Sequence, residues 1–169
     1  MGSKSKIINQ KSKKYQFIDL KRGVDYIGVN CAFFCHDKAD RILFHKRSVN
    51  CRDEHGRWDP GAGSMEIGET FEETVRREVM EEYGVEPLEI EYIATENVLR
   101  DNNGQITHWI KNLHWVLVKP EQVKNNDPEK IDEIGWFAFD NLPDPLHSQA
   151  IRGIDSITKH LKSKRRNGQ

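Results

Sequence analysis

The amino-acid sequence predicts an α/β fold in which a β-sheet packs between helices. Three observations lead to this prediction: strand-like apolar stretches come first, an amphipathic helix lies in the middle, and further strands precede a second amphipathic helix. The chain has 169 residues, the usual size of one domain, and no internal repeat or low-complexity linker divides it. We therefore expect a single domain.

The composition indicates a protein whose surface faces water. Charged residues make up 31% of the chain and hydrophobic residues 36%, and the mean hydropathy is −0.77. No run approaches the roughly 18 consecutive apolar residues that cross a bilayer, and residues 1–14 lack the apolar stretch of a secretory signal. We therefore expect a cytoplasmic protein with no membrane contact.

Both ends of the chain are basic. Residues 1–14 contain five lysines and no acid, and residues 163–169 contain Lys164, Arg165 and Arg166. Short terminal charge runs are usually solvated, so we expect flexible segments at 1–14 and 163–169 around one domain at 15–162. Nucleic acid is accordingly not expected as a partner, and either a monomer or a homodimer fits the sequence.

Apolar stretches rich in β-branched and aromatic residues predict six strands. They cover residues 15–19, 26–36, 41–46, 88–99, 106–118 and 134–139. A long loop at 48–63 precedes a helix at 70–83, and Gly84 stands where a left-handed helix cap is expected. Four apolar residues at helical spacing predict the closing helix at 148–162: Ile151, Ile154, Ile157 and Leu161. Long loops inside compact domains are often functional.

The three cysteines, Cys31, Cys35 and Cys51, are too few for a disulfide framework. Cys31 and Cys35 share one face of a predicted strand, which favours burial in the core as small apolar residues. A zinc site formed with nearby histidines is the alternative.

The predicted helix at 70–83 carries glutamates where apolar residues are expected. At about 100° per residue, Phe71, Val75 and Val79 form one apolar stripe. Glu82 lies about 20° from the centre of this stripe and Glu78 about 60°. A core-facing helix should be apolar at both positions, because burying an unpaired carboxylate costs several kcal/mol.

This buried negative charge requires compensation. Arg76 and Arg77 are the nearest cations in the sequence, and the helix geometry points neither of them at the carboxylates. A divalent cation, which is hard and prefers oxygen ligands, can accept Glu78, Glu81 and Glu82 together. The alternative is that the three glutamates line a solvated helix face, as most charge runs do.

The spacing of residues 63–85 resembles the complete Nudix box. Gly63 is followed after five residues by Glu69, and after seven more by Arg-Glu-Val-Met-Glu-Glu-Tyr-Gly-Val at 77–85. The resemblance covers 23 of the 169 residues. It implies a Nudix-type α/β/α sandwich with a mixed β-sheet between helices, and a pyrophosphohydrolase that depends on Mg²⁺, with Mn²⁺ as a substitute.

Carried over by position, the resemblance implies that Glu78, Glu81 and Glu82 bind the metal, together with the carbonyl oxygen of Ala62. Many members of this family have glycine at the position of Ala62. A carbonyl ligand does not require glycine, so the substitution leaves the expected metal site intact.

The resemblance also implies roles for other residues of the box. Arg77 is expected to pair with Glu69, which suits an arginine that points away from the acidic cluster. Gly63 is expected to permit a tight turn, and Gly84 a sharp exit from the helix. Glu78 is the first candidate for the catalytic base, and the acids at 129–133 are candidates outside the box.

The reaction implied is hydrolysis of the diphosphate bond in a nucleoside di- or triphosphate, or in another nucleoside diphosphate linked to a group X, with release of a nucleoside monophosphate. Residues 99–103 match neither the downstream signature of ADP-ribose hydrolases nor that of diadenosine-polyphosphate hydrolases. Nucleoside di- and triphosphates are therefore the default substrates. Arg100 could bind a phosphate through its planar guanidinium, and Trp109 could stack on a base or belong to the core.

Two other functions stay open. Isopentenyl-diphosphate isomerases share this fold with a relaxed form of the box, and such an enzyme would use a cysteine, here Cys31 or Cys35. A Nudix-fold module that only binds a nucleotide or RNA would bind without turnover. The complete set of box glutamates argues against both alternatives.

Overall fold

A computed structural model describes residues 20–39, 41–102 and 104–167 of the chain. The strand predicted at 15–19 and the flexible segment predicted at 1–14 lie outside the described residues. Within the described ranges, no helix is both long and apolar enough to cross a membrane.

The described residues form seven strands and two α-helices. The strands are β1 (Gly28–His36), β2 (Arg41–Arg47), β3 (Trp58–Asp59), β4 (Ala62–Ser64), β5 (Glu89–Asn102), β6 (Gln105–Leu117) and β7 (Ile131–Ala138). The helices are α1 (Phe71–Tyr83) and α2 (Ser148–Asn167), and a short 3-10 helix covers Pro120–Gln122.

The strands form one mixed sheet. The order along it is β3-β2-β1-β6-β5, with β4 paired to β1 and β7 paired to β2. Strands β1 and β6 run parallel, and the other pairs are antiparallel. The mixed sheet expected from the sequence is confirmed.

The two helices cover opposite faces of the sheet, because successive side chains of β1 alternate between the faces. On one face, α1 packs its buried residues Val75, Val79 and Tyr83 against Cys31, Phe33 and Cys35. On the other face, α2 packs Ala150 and Ile157 against Ala32, Phe34 and Leu113. Each fully buried aliphatic or Phe side chain contributes roughly 1.5–3 kcal/mol to folding. The α/β/α sandwich is therefore confirmed, and the two cysteines of β1 are core residues.

Both ends of α1 are fixed by local contacts. Thr70 and Glu73 form a reciprocal capping box at the start, and Gly84 ends the helix at φ 61° with its N–H donated to Met80. The sharp exit expected at Gly84 is thus present. The buried stripe consists of Val75, Val79 and Tyr83, whereas Phe71 is 43% exposed.

Two of the differences from the sequence prediction concern the loop before α1 and the end of α2. The segment expected to be a long loop contains β3 and β4, because their backbones pair with β2 and β1. Helix α2 continues to Asn167, so residues 163–167 are helical and the helix does not end at 162 as predicted. In this last part of the helix, Lys164 pairs with Glu91 of β5, whose Oε1 atom lies 2.8 Å from the lysine Nζ.

Candidate active site

Two adjoining cavities lie on either side of strand β4. We call the first the acidic pocket, a cavity of about 470 Å³ lined by Glu78, Glu81 and Glu82 of α1. The second, here called the cleft, has a volume of about 250 Å³ and lies between the sheet and the start of α2. The residues that line both are Arg47, Arg52, Ala62, Gly63 and Ser64. A molecule that occupies the cleft can therefore reach the acids of α1.

Gly63 brings the strand against the acids of α1. It pairs with Cys31 of β1, and a Cβ atom at this position would lie 1.6 Å from Cδ of Glu78. The expectation of a tight turn at Gly63 is wrong, because the residue is part of a strand and is required by the close approach of Glu78. Gly61, which immediately precedes the strand, has a φ of 121°, a backbone conformation that favours glycine.

Arg77 holds Glu69 through two parallel hydrogen bonds. Its Nε donates to Oε1 over 2.6 Å and its Nη2 to Oε2 over 3.0 Å, the bidentate geometry that gives strong charge-assisted bonds. These bonds hold the pKa of Glu69 at about 2. Nη2 also donates to the Ser64 carbonyl over 3.0 Å. The pairing expected between the two residues is present, and it fastens the loop to α1 beside β4.

The same guanidinium contacts the acidic cluster. Nη1 of Arg77 lies 2.7 Å from Oε1 of Glu78 and 3.4 Å from Oε2 of Glu81. The expectation that Arg77 points away from the acids is wrong. Helix geometry predicts the direction of Cβ only, and the long arginine side chain curves back around the helix.

Glu82 carries the least compensated charge of the pocket. Its Oε2 atom is buried and has no hydrogen-bond partner among the described residues. Nδ1 of His45 lies 3.8 Å away, but burial lowers the pKa of this ring to about 4, so it carries no charge at pH 7. Burial, with the neighbouring charges of Glu78 and Asp59, raises the pKa of Glu82 well above its usual value. Such an oxygen requires a proton or a cation.

As the side chains stand, no group of three His, Cys, Asp or Glu residues in the described ranges is arranged to hold a metal ion. The position of Arg77 explains this, because its Nη1 lies between Glu78 and Glu81. The unpaired oxygen of Glu82 and the carboxylate of Glu78 against Gly63 nevertheless supply ligands of the type that a hard divalent ion prefers.

A buried hydrogen-bond chain supports the loop that leads into β4. The Tyr83 hydroxyl donates to the Pro60 carbonyl over 2.8 Å and lies 2.8 Å from Nδ1 of His45. Burial lowers the pKa of His45 to about 4, so its ring is neutral at pH 7. Since the single hydroxyl proton goes to Pro60, Nδ1 of His45 carries a proton and donates it to Tyr83. Neither residue was predicted for the site from the sequence, although a histidine inside an apolar strand was a visible signal.

The two residues expected to bind substrate, Arg100 and Trp109, both line the cleft, but they differ in their contacts. Arg100 is already engaged: its guanidinium lies 3.0 Å from Asp53 and 2.7 Å from Glu54. Trp109 lies with its ring against Gly23 and Gly28, where a Cβ atom would come within 2.6 Å of it. Cleft residues that the sequence analysis did not single out are Asn30, Arg47, Arg52, Lys111, His147 and Gln149.

The family model of the NUDIX domain matches residues 27–157. This chain belongs to the Nudix family. The resemblance carried by residues 63–85 is thereby confirmed, and the match covers the sheet, α1 and the first half of α2.

Named relatives share part of this Nudix domain. The NAD-capped RNA hydrolase NudC of Pseudomonas aeruginosa is 37% identical over 100 residues, which are 59% of this chain and 31% of that protein. The 8-oxo-dGDP phosphatase NUDT18 of Mus musculus is 27% identical over 139 residues, which are 79% of this chain and 38% of that protein. The chain thus spans about a third of the length of the curated relatives it matches.

Solved structures share the fold. A MutT Nudix hydrolase from Burkholderia pseudomallei is similar with a TM-score of 0.69 and 25% identity, over 78% of this chain and 98% of that one. The MutT protein from Methanosarcina mazei Go1 gives a TM-score of 0.67 at 19% identity, over 80% of this chain and 96% of that one. The second likeness concerns the fold alone.

Residues outside the Nudix box complete the acidic pocket. Asp127 and Lys130 line it, and their side chains pair over 3.0 Å. Glu129, Asp132 and Glu133, the candidate bases outside the box, are absent from the lining among the described residues. Asp132 and Glu133 lie in strand β7 and not in a loop as expected, whereas Asp127 and Lys130, which precede the strand, face the pocket.

The cysteines of β1 do not face either cavity of this Nudix domain. Cys31 and Cys35 are completely buried in the core, and burial raises the pKa of the Cys31 thiol to about 11. An isomerase would need one of them beside its substrate. Their place in the fold argues against that alternative.

Proposed function

We propose that this Nudix domain hydrolyses the diphosphate bond of a nucleoside diphosphate linked to a group X, in the presence of Mg²⁺, and releases a nucleoside monophosphate. The observation that carries the proposal is the unpaired buried oxygen of Glu82, which lies beside a pocket that also contains Glu78 and Glu81. An acidic pocket of this kind repels a phosphate unless a cation is present.

Glu78, Glu81, Glu82 and the carbonyl oxygen of Ala62 would hold the ion, with Mn²⁺ as a substitute for Mg²⁺. Such an ion would supply the positive charge that neutralises the phosphate oxygens of the substrate. For Glu78 and Glu81 to take part, Nη1 of Arg77 must leave them. The other nitrogens of Arg77 can keep Glu69 in place meanwhile, since the guanidinium has five donors.

Basic side chains at the junction of the two cavities would neutralise the remaining negative charge of the substrate's phosphate groups. Arg52 is the freest of them, because its side chain is 62% exposed and its only ion pair among the described residues, with Asp53, measures 3.6 Å. Arg47 is fixed by Asp53 and Asp59 at 3.1 and 2.9 Å. We propose that Arg52 replaces Arg100 in the expected role of phosphate ligand.

The catalytic base proposed is Glu78. Gly63 leaves no space between the strand and this carboxylate, so its oxygens stay at the junction of pocket and cleft. Phosphoryl transfer depends mainly on positioning and charge neutralisation, so a fixed carboxylate is well suited to orient the attacking water.

The substrate class proposed is a nucleotide with a diphosphate bond, and nucleoside di- and triphosphates remain its default members. The names of the relatives add NAD-capped RNA and 8-oxo-dGDP to the set worth testing. The expectation that nucleic acid is not a partner therefore needs a test with capped RNA. A cytoplasmic location and the choice between monomer and homodimer stay predictions.

The test is turnover of a substrate panel with Mg²⁺, with products separated by chromatography. The panel contains nucleoside di- and triphosphates, oxidised nucleotides, ADP-ribose, dinucleoside polyphosphates and capped RNA, and Glu82→Gln runs beside the wild type. We expect one class to yield a nucleoside monophosphate, and Glu82→Gln to lose most of that rate. Nucleotide binding without turnover of any member would instead favour the binding-module alternative.

A further inference from the structure

Glu54 joins three elements that are far apart in the sequence. It lies in the segment between β2 and β3, and its carboxylate accepts hydrogen bonds from the backbone N–H of Ser148 over 2.8 Å and from the Ser148 hydroxyl over 2.6 Å. The same carboxylate accepts from Nη2 of Arg100 over 2.7 Å. Ser148 is the first residue of α2 and Arg100 lies in β5. One side chain therefore fixes the segment, the helix and the strand relative to one another.

The surroundings of Glu54 favour its charged form. Its side chain is 17% exposed, and burial alone would raise the pKa of the carboxyl. The hydrogen bonds from Ser148, with the neighbouring His147 and Arg100, outweigh burial, so the pKa lies below its ordinary value. A negative charge at the start of a helix also interacts favourably with the helix dipole. Glu54 thus acts as an anionic cap for α2 that comes from another part of the chain.

The backbone of Glu54 has a conformation that is rare for residues other than glycine. Its φ is 49°, in the left-handed region, which is unfavourable for a residue with a Cβ atom. Such conformations persist only where the surroundings impose them, and they cluster at functional sites. The bonds to Ser148 and Arg100 impose this one. The strained position of Glu54 therefore indicates a role beyond the local chain reversal.

The segment fastened in this way also carries Arg52, which lines both the acidic pocket and the cleft. Arg52 has one ion pair among the described residues, at 3.6 Å with Asp53, so its own contacts hold it weakly. Its neighbours are held firmly. On one side the Cys51 thiol donates to the Lys130 carbonyl over 3.2 Å, and on the other Asp53 pairs with Arg100 at 3.0 Å. The position of Arg52 therefore depends on the anchors of its neighbours.

We propose that Glu54 is a positioning residue for phosphate binding: its bonds to α2 and β5 keep the segment in place, so that Arg52 meets the phosphate groups of the substrate at the junction of the two cavities. The proposal rests on the proposed function in taking Arg52 as the phosphate ligand. Among the described residues that line the two cavities, Glu54 is absent, so it acts through Arg52. Loss of its charge should weaken the binding of a diphosphate more than it slows the chemical step.

The experiment compares Glu54→Gln, Arg52→Gln and the double variant with the wild type. Calorimetry measures the binding of inorganic pyrophosphate with Mg²⁺ to the full chain, and steady-state kinetics give kcat and KM for the best substrate of the panel. We expect Glu54→Gln to weaken pyrophosphate binding and to raise KM by about tenfold, the size of one charge-assisted hydrogen bond, with kcat nearly unchanged. The double variant should bind no more weakly than Arg52→Gln, because the two residues act as one unit.

Glu91→Gln is the matched control. Glu91 also fastens α2 to β5, through His160 and Lys164 at 2.8 Å each, but it does so in the second half of the helix, away from the cleft. This variant should leave pyrophosphate binding and KM unchanged. Ser148→Ala removes one donor to Glu54 and carries the test if Glu54→Gln does not fold, with a smaller change in the same direction.

The thiol of Cys51, next to Arg52, reports on the segment without turnover. Cys31 and Cys35 are completely buried, so a thiol reagent reaches the partly exposed Cys51 first. We expect Glu54→Gln to speed the modification of Cys51 by about tenfold, because the loss of one charge-assisted bond raises the population of the open segment by that factor. The Glu91 control should react at the rate of the wild type.

Equal pyrophosphate binding in wild type and Glu54→Gln, or no binding to either, would overturn the proposal. So would an unchanged rate at Cys51, a double variant that binds more weakly than Arg52→Gln, or the same loss of binding in Glu91→Gln. An inactive protein that shows the expected differences in binding contradicts the hydrolase proposal alone. Turnover with equal binding in wild type and Glu54→Gln contradicts the role of Glu54 alone.

Discussion

The carboxylate of Glu78 lies directly against the backbone of Gly63, where even a methyl group would overlap it. This contact joins β4 to α1 and fixes a carboxylate at the border of the acidic pocket and the cleft. This close approach to a residue fifteen positions away in the sequence is the reason that position 63 requires glycine.

Replacing Gly63 with alanine should displace the Glu78 carboxylate. The added Cβ would stand 1.6 Å from Cδ of Glu78, so the strand or the acid must move by about an ångström. Misplacement of that size lowers turnover by about 100-fold, and the strain should lower the free energy of unfolding by about 1–3 kcal/mol. Steady-state kinetics and urea unfolding measure the two effects. Ser64→Ala in the same strand is the control, and equal activity of the two variants would contradict the account.

Mg²⁺ should stabilise the wild-type domain and not the Glu82→Gln variant. An ion at 100 times its dissociation constant adds about 2.7 kcal/mol to the folded state. Without metal, Glu82→Gln should be at least as stable as the wild type, because it removes an unpaired buried carboxylate. Thermal unfolding with and without Mg²⁺ tests both statements. A Tm increase of the same size in both proteins would place the ion elsewhere.

Tyr83→Phe should weaken the loop that leads into β4. The change removes the donor to the Pro60 carbonyl and the partner of the His45 ring, at a cost of about 1–3 kcal/mol. Tyr92→Phe is the matched control, because the Tyr92 hydroxyl bonds to Thr95 at the surface. Urea unfolding measures the difference, and a Tyr83 variant as stable as the Tyr92 variant would contradict a supporting role.

The ion pair between Glu69 and Arg77 should make stability depend on acid pH. The folded pKa of Glu69 is about 2, below the ordinary value of 4.5 for a glutamate, so the unfolded chain binds its proton first as the pH falls. The contribution is complete above about pH 4.5 and is lost as the pH falls towards 2. The difference in unfolding free energy between wild type and Glu69→Gln should therefore shrink across this window. A difference that stays constant from pH 7 to 2.5 would show that the pair does not stabilise the fold through its charge.

Local features of the site were predictable from the sequence. Helix α1 and its caps follow from Thr70, the apolar spacing and Gly84, and the position of Glu82 beside the buried stripe follows from helical geometry. The sandwich followed from the order of strands and helices and from the Nudix box. These features depend on neighbours in sequence, which a pattern records directly.

Contacts between distant segments were not predictable. The Tyr83 hydroxyl contacts His45 and Pro60, which lie 38 and 23 positions earlier in the sequence. Arg100 contacts Glu54, which lies 46 positions earlier. A pattern cannot show that Arg100 is neutralised by acids of another loop, so it was expected to be free for phosphate. The direction of the Arg77 side chain was not predictable for another reason. The course of a long side chain beyond Cβ is set by its hydrogen-bond partners, which here are Glu69 and Glu78.

The measurement that tests the central claim most directly is the dependence of turnover on Mg²⁺ concentration, for the best substrate of the panel, in wild type, Glu82→Gln and Glu86→Gln. Glu86 is an exposed acid just after α1 that pairs with Arg76 and serves as the control. The account predicts no nucleoside monophosphate after chelation, a saturable rise with Mg²⁺ in the wild type and the control, and a loss of about 100-fold in Glu82→Gln. Turnover that persists without a divalent ion, or that Glu82→Gln leaves intact, would contradict it.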